Sequence, residues 1–173
     1  MKEFETERLI LRKVTLLDVD DLYKNWGSDK ITTKFLSFNT HESKDVTKKY
    51  VEYWIKRYDN NELVWAVQYK ETNEVIGIIS GKKKDDETIE LGYSISSKYF
   101  NKGITTEALG PIIDYLFNEL DYLIAEAIIP SLNIGSIKVA EKCLMKKKCV
   151  LDQKYKDKDG NIQDLVVYSR NKK

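Results

Sequence analysis

The stretch "SSKYFNKGITTEALGPIIDYLF", residues 96 to 117, has the composition of an anion-binding turn followed by a helix. A strand pattern ends there, a polar turn with a single glycine (Gly103) follows, and an apolar helix pattern begins. The first backbone N–H groups of a helix have no intrahelical partner, so they can bind phosphate oxygens. The familiar phosphate-binding loops contain two or three glycines, whereas this turn contains one. The residues alone are therefore compatible with an anion site and with an ordinary turn.

Composition and charge predict one soluble domain covering residues 1–173. The chain is 42% hydrophobic and 33% charged, which is typical of a globular protein of this length. Its 29 Lys and Arg residues nearly balance 28 Asp and Glu residues, a net charge of +1 that argues against a nucleic-acid partner. The clusters Lys82–Lys84 and Lys146–Lys148 are predicted to be solvated strand ends.

Cysteine usage and hydropathy predict a cytoplasmic location without metal or membrane. Cys143 and Cys149 form no CxxC pair and have no histidine nearby, so a disulfide framework or zinc site is not expected. The N-terminus "MKEFETERL" is too polar for a signal peptide. The longest apolar run, "YLIAEAII", is far shorter than a membrane span and is interrupted by Glu126.

The elements before the turn read as a strand, two helices and a meander. "RLILRKV" has strand composition, and Leu17, Leu22 and Trp26 follow at roughly helical spacing. Residues 44–58 form an amphipathic helix pattern capped by Ser43. Three β-rich runs, joined by short links, then predict an antiparallel meander: "ELVWAVQYK", "NEVIGIISGK" and "TIELGYSIS".

After the turn, the pattern continues as helix, strand, helix and hairpin. The helix after Gly103 carries apolar residues on one face, "YLIAEAII" is a buried strand, and "NIGSIKVAEKCLM" is a second helix. A hairpin around Asp159–Gly160 closes the chain. The class is therefore α/β, one mixed sheet with packed helices. In a strand–helix–strand unit with parallel strands the ligand lies at the carboxyl ends of the strands, here where "ELGYSIS" meets "KYFNKGITTEA".

The order of these elements and the residues at their joins carry a family resemblance. Five segments hold it: "ETERLILRKVTLLDVDDLY", "WAVQYKETNEVIGIISG", "IELGYSISSKYFNKGITTEAL", "NIGSIKVAEKCLM" and "YKDKDGNIQDLVVYS". The chain resembles the GNAT superfamily of acetyl-CoA-dependent N-acetyltransferases, in the branch of the ribosomal-protein N-terminal (Rim-type) enzymes. The resemblance implies a largely antiparallel central sheet, a splayed parallel pair in its middle, and helices on both faces.

The resemblance also implies acetyl-CoA as co-substrate, no metal, and a set of coenzyme-binding residues. The turn from Asn101 to Thr106 looks like the pyrophosphate loop of the superfamily, and backbone groups from Tyr93 to Ile95 would pair with the pantetheine arm. Asn133 and Ser136 match the opening of the last helix, near the departing thiolate. The implied coenzyme residues are Tyr93, Ser94, Ile95, Asn101, Lys102, Gly103, Ile104, Thr105, Thr106, Asn133 and Ser136.

Acetyl transfer needs a neutral amine, so a base that takes the proton through water would help. The resemblance places Glu90 in that role and Ser136 at the departing thiolate. A backbone N–H of the third meander strand would serve the oxygen of the tetrahedral intermediate. Glu90 also fits a solvent-facing position of an alternating strand, and Asn133 and Ser136 also fit helix-capping roles.

Other chemically notable residues have structural interpretations. His41 has no identifiable carboxylate partner, and Cys143 falls near the apolar side of its helix, where a core position is expected. Four aromatic residues of the early helices either line an acceptor groove or pack those helices onto the sheet, which the sequence leaves open: Tyr23, Trp26, Tyr50 and Trp54.

The chain departs from the family pattern at three places. Asn101, which follows Phe100, and Thr105 stand where the loop usually has small residues. Asparagine tolerates a left-handed backbone, so Asn101 fits its position. Thr105 is bulky enough to crowd a pyrophosphate. By local rules the helix would start at Pro111. The resemblance instead starts it near Gly103, and we predict this earlier start with a kink at Pro111. Leu144 stands where the family commonly ends its last helix with glycine.

The leading hypothesis is acetyl transfer from acetyl-CoA to a primary amine, by direct attack in a ternary complex. Acceptors in question are a protein N-terminus, a polyamine, an aminoglycoside or another small amine. The alternative is a protein that keeps the fold as an acyl-CoA sensor or interaction module with little or no catalysis. Monomer and homodimer are both open.

Overall fold

The computed structural model describes residues 1–60 and 62–173. Over these residues the chain forms eight strands: β1 Phe4–Glu5, β2 Leu9–Arg12, β3 Leu63–Tyr69, β4 Glu74–Lys83, β5 Thr88–Ile95, β6 Ile124–Pro130, β7 Lys146–Lys156 and β8 Ile162–Asn171. The same residues form five α-helices: α1 Val19–Leu22, α2 Lys30–Thr33, α3 Lys44–Arg57, α4 Ile104–Asn118 and α5 Ile134–Lys142. Among these helices, none is both long and apolar enough to cross a bilayer.

The strands form a single sheet in the order β1-β2-β3-β4-β5-β6-β8-β7. Neighbouring strands run antiparallel except β5 and β6, which are parallel and are joined by the α4 crossover. Their register pairs are Thr88–Ile124, Ile89–Ala125 and Glu90–Glu126. Because β5 continues to Ile95 and β6 to Pro130, the two strands part after the third pair. This confirms the predicted mixed sheet with a splayed parallel pair.

Two apolar cores lie on the two faces of the sheet. Alternate residues of β5, among them Ile89 and Leu91, belong to the core beneath α4 and α5. The second core is smaller and includes Leu22, Trp26 and Val51 from the early helices. Residues 90, 92 and 94 of β5 therefore face the side of the early helices.

Two details of the early helices differ from the prediction. The first helical segment is broken into a 3₁₀ turn (Leu16–Asp18), α1 and a π turn (Tyr23–Gly27), and Leu17 is 91% exposed rather than aligned with Leu22. The buried Asp18 carboxylate accepts from Thr15 N–H, which turns Leu17 outward. Ser43 does precede α3, yet its side chain makes no capping hydrogen bond within the described residues.

Helix α4 begins at Ile104, directly after Gly103, and runs through Pro111. The predicted start near Gly103 is therefore correct, and the alternative start at Pro111 is wrong. Glu107, whose carbonyl the proline ring would meet, still donates its own N–H to the Gly103 carbonyl at 3.0 Å. The bend at Pro111 stays a prediction.

Candidate active site

The turn before α4 adopts a backbone that exposes its amide groups. Asn101 has φ 59° and Gly103 has φ 75°, both in the left-handed region. Glycine occupies this region freely, and asparagine does so more readily than most residues, so Asn101 adopts a left-handed backbone that its residue type tolerates. Among the described residues, the backbone N–H groups of residues 101–106 donate no hydrogen bond to another backbone group. This row of donors is available to an anion.

The amides border a cleft of about 640 Å³. Its walls are the end of β5, the turn with the start of α4, residues of α2 and of the segment that follows it, and one side of α5 with the residues just before it. All the predicted coenzyme residues line this cleft except Lys102, whose ammonium lies 5.3 Å from the Tyr99 ring. Thr105 is 8% exposed, so most of its bulk is packed into the wall.

Tyr93 connects the two walls of the cleft. Its phenol donates a hydrogen bond to the backbone carbonyl of Ser136 at 3.0 Å, and burial raises the pKa of Tyr93 to about 12. The Asn133 side chain accepts from the Ser136 N–H at 3.2 Å and so caps α5. The capping interpretation of Asn133 is thereby correct, and both Asn133 and Ser136 line the cleft. The sequence predicted the Tyr93 backbone as functional but not this bridge by its side chain.

The charge around the cleft is one-sided. Lys34, Lys138 and Lys142 line it, and no Asp or Glu does so among residues 1–60 and 62–173. In a chain whose net charge is only +1, this concentrates positive charge at one site. Such a distribution attracts a polyanionic ligand.

Glu90 lies outside this cleft, on the opposite face of the sheet from α4. It is half-buried and is the register partner of Glu126, at the last pair before β5 and β6 part. Glu126 is 1% exposed, and its two oxygens accept from Lys84 and Lys148 at 2.6 Å each. Burial alone would raise the pKa of Glu126, but the two lysines lower it.

The sequence analysis missed this ion-paired carboxylate. All six lysines of the clusters 82–84 and 146–148 are exposed, as predicted, and two of them, Lys84 and Lys148, also bind this carboxylate. The available signal was a lone acid in the buried strand "YLIAEAII", since a charge there needs partners. In the part of the chain that the structure describes, no group of His, Cys, Asp and Glu side chains is arranged to hold a metal ion.

The early aromatic residues pack against each other and against the sheet. The rings of Trp26 and Trp54 are 5.8 Å apart, and Tyr50 stacks on His41 at 4.9 Å. Trp26 also donates from its indole to the Ser94 hydroxyl at 3.1 Å, so it supports a residue of the cleft wall. Tyr23 is directed elsewhere, toward the carbonyl of Glu42 at 3.4 Å.

His41 and Cys143 are structural, as expected. Burial lowers the pKa of His41, whose Nδ1 pairs with the Thr47 hydroxyl at 2.8 Å; it has no carboxylate partner among the described residues. Cys143 is 6% exposed, and burial raises the pKa of its thiol to about 11. A thiol with so high a pKa is a poor nucleophile.

Comparison with known proteins identifies the family of this fold. The model of the acetyltransferase (GNAT) domain matches residues 8–146. The chain belongs to the GNAT acetyltransferase family. A curated relative of this GNAT domain, the uncharacterised N-acetyltransferase p20 of Bacillus licheniformis, is 30% identical and aligns over 98% of the chain and 96% of its own length.

Solved GNAT structures share the whole fold with this chain. RimL, a ribosomal L7/L12 α-N-protein acetyltransferase in complex with coenzyme A, superposes with a TM-score of 0.87 at 18% identity, covering 98% of each chain. The microcin C7 self-immunity acetyltransferase MccE, in complex with acetyl-CoA and AMP, has a TM-score of 0.85 at 21% identity, covering 96% of this chain and 93% of its own. At these identities the likeness establishes the fold.

Proposed function

We propose that this protein, acting as one domain over residues 1–173, transfers an acetyl group from acetyl-CoA to a primary amine within a ternary complex. One observation carries the proposal: the backbone N–H groups of residues 101–106 donate no hydrogen bond to another backbone group among the described residues, and all of these residues except Lys102 line a cleft at the parting strands. The GNAT fold supports acetyl transfer from acetyl-CoA in general. The choice of amine, the ternary complex and the residue roles below are the proposal.

The residues of the cleft fit acetyl-CoA part by part. The exposed amides of the turn and the N-terminus of α4 suit the pyrophosphate, and the lining lysines add positive charge. Beyond Glu90, the facing edges of β5 and β6 no longer pair with each other. The backbone groups of Tyr93–Ile95 can therefore hydrogen-bond to the pantetheine amides, in the way that a sheet edge binds an added strand.

Glu90 is suited to serve as the base on the acceptor side. It takes a proton from the incoming ammonium through a water molecule, so that the neutral amine attacks the thioester carbon. A backbone N–H of β5 stabilises the oxyanion. The C–N bond then forms and the C–S bond breaks, and the nitrogen gives up its remaining extra proton to water as it becomes an amide. The thiolate, held by the polar groups of Ser136 and Asn133, takes up that proton through water.

The two partners approach from opposite faces of the sheet. The acetyl group arrives through the gap between β5 and β6, and the amine reaches it from the side of the early helices, which Glu90 and Ser94 face. The acceptor class is a protein N-terminus or a small-molecule amine. We place the protein in the reducing cytoplasm, since Cys143 and Cys149 are both free thiols.

Thermal unfolding with acetyl-CoA tests the binding half of the proposal, with acetate plus ADP as control. A ligand at a hundred times its dissociation constant stabilises a protein by about 2.7 kcal/mol, on the order of 5–10 °C at this size. We expect that shift with acetyl-CoA and a much smaller one with the control. No shift at millimolar acetyl-CoA contradicts the proposal. A shift without turnover of any amine favours the sensor instead.

A further inference from the structure

Arg8, on the chain just before β2, reaches the proposed pyrophosphate loop from the side away from the cleft. Its Nη1 donates to the carbonyl of Lys102 at 3.0 Å. Its Nε and Nη2 bind the Glu107 carboxylate at 2.7 and 2.6 Å. Arg8 is not part of the cleft lining, whereas Gly103 is. The guanidinium therefore supports the loop from behind.

The contact to the Lys102 carbonyl fixes the direction of the next amide. The described peptide bonds are all trans. In a planar trans peptide the C=O and the following N–H point in opposite directions. Since the Lys102 carbonyl is held by Arg8 outside the cleft, the N–H of Gly103 is directed the other way. The φ angle of Gly103 is 75°, and in this region a glycine backbone has wide freedom. The loop itself therefore does not impose the orientation of the Gly103 N–H.

Glu107 serves as the anchor of this guanidinium. Its carboxylate also accepts from the Thr6 hydroxyl at 2.6 Å and the Arg8 N–H at 2.9 Å. Burial alone would raise the pKa of Glu107, but these hydrogen bonds and Arg8 lower it. Glu107 lies in the first turn of α4, where a lone negative charge would repel a phosphate. Its ion pair with Arg8 removes that repulsion.

We infer that Arg8, anchored by Glu107, is a positioning residue that orients the Lys102–Gly103 peptide so that its N–H binds the coenzyme pyrophosphate. The inference rests on the proposed function. It concerns orientation as well as charge, because the fork of the guanidinium contacts a carboxylate and a carbonyl at once. A lysine at position 8 keeps the charge and cannot span both.

The test compares acetyl-CoA with S-acetylpantetheine, which lacks the pyrophosphate, in Arg8→Ala and Arg8→Lys. Dissociation constants come from titrations followed by NMR, which also detects weak binding. We expect Arg8→Ala to weaken acetyl-CoA binding by about ten- to hundredfold, as for lost hydrogen bonds to a charged group, and to leave acetylpantetheine unchanged. Arg8→Lys should lose nearly as much. A purely structural role of Arg8 would change both ligands alike.

Arg12→Ala is the matched control. Arg12 lies in β2 and also binds a carboxylate, Asp18, at 2.7 Å, but it makes no hydrogen bond to the loop in the described part of the chain. It should leave both affinities unchanged. Wild-type acetyl-CoA affinity in Arg8→Ala, or equal losses for both ligands in folded Arg8→Lys, would overturn the inference. Failure of the wild type to bind acetyl-CoA would defeat the proposed function and the inference with it.

Discussion

At the scale of residues, two neighbouring glutamates illustrate how environment separates chemical roles. Glu90 and Glu126 are register partners, yet Glu126 is 1% exposed and bound by two lysines, whereas Glu90 is half-buried without such a pair. Hydrogen bonding to Glu126 raises the pKa of Lys84, and the Glu90 carboxylate adds to that effect. The ion pairs commit Glu126 to the fold, whereas Glu90 carries the proposed role of base.

Replacing Glu90 should impair turnover and leave coenzyme binding intact. We expect Glu90→Gln to lower kcat by about 100-fold or more, since the amide cannot accept the proton. Steady-state kinetics with the best amine found, together with acetyl-CoA titration, measure the two quantities. Glu87→Gln, at an exposed position just before β5, is the control and should change neither. Unchanged kcat in Glu90→Gln would remove Glu90 from the mechanism.

Replacing Glu126 should impair stability in a pH-dependent way. Glu126→Gln leaves two lysines without their carboxylate, and we expect a loss of about 1–3 kcal/mol in the free energy of unfolding at pH 7, measured in urea. The folded pKa lies below the ordinary value of 4.5. The carboxylate therefore stabilises the fold above that pH, and the stabilisation is lost as pH falls through the folded pKa.

The difference between wild type and Glu126→Gln should accordingly shrink in acid. Glu119→Gln is the control, because Glu119 pairs with Lys2 on the surface, where both side chains are about half exposed. Such a pair contributes little, so this variant should lose under about 1 kcal/mol. A Glu126→Gln loss no larger than that of Glu119→Gln would contradict the structural role.

At the scale of elements, the end of α5 shows a helix stop made with an unusual residue. Leu144 has φ 62°, and its N–H and that of Met145 bind the carbonyls of Glu141 and Ala140, both at 3.0 Å. This is the Schellman arrangement, whose left-handed position is usually glycine. Leu144 thus has the backbone conformation that glycine usually adopts at a helix end, and a leucine keeps this geometry at the expense of strain.

Leu144→Gly should stabilise the protein. A left-handed backbone costs a leucine about 1 kcal/mol, and the side chain is 63% exposed, so little packing is lost. We expect the melting temperature to rise by about 2–4 °C in calorimetry. Leu123→Gly, at an exposed leucine outside the left-handed region, should instead lower it. A fall in Leu144→Gly would mean that Leu144 contributes packing after all.

Most elements were predictable because their patterns are local. The meander, α4, β6 and α5 follow from periodicity and short links, and the start of α4 at Ile104 followed from the family resemblance against the local signal of Pro111. The break at Leu17 accompanies the buried Asp18 carboxylate, whose partners Thr15 and Arg12 are near in sequence but are polar, so the spacing of apolar residues does not indicate it. Likewise, the lysine pairs of Glu126 and the Arg8–Glu107 contact join residues distant in sequence, which no spacing rule indicates.

At the scale of the whole molecule, the sheet is continuous but has one short seam. Strands β5 and β6 share three register pairs, whereas the antiparallel neighbours of this pair run in register over most of their length. Tyr93 bridges the opened part through Ser136, which keeps the cleft walls together without closing the gap. The seam divides the sheet where the coenzyme is proposed to bind.

Amide hydrogen exchange should detect this seam. Alternate N–H groups of residues 91–95 and 127–129 face the gap, so they should exchange faster than those directed at β4 and β8. Saturating acetyl-CoA should slow the fast amides of 93–95 and leave those of β3, such as Trp65, unchanged. Slow exchange across the gap in the free protein would contradict the splayed pairing in solution.

The hydrogen bond from Trp26 to Ser94 gives the protein a built-in optical reporter. The indole is 2% exposed, and its N–H reaches a hydroxyl on the cleft wall at 3.1 Å. Any molecule that pairs with the backbone of Ser94 alters the electric field at this ring, and with it the emission of a buried tryptophan. We therefore expect the proposed coenzyme binding to change the tryptophan emission of the protein, which a titration can follow without a dye, a label or a completed reaction.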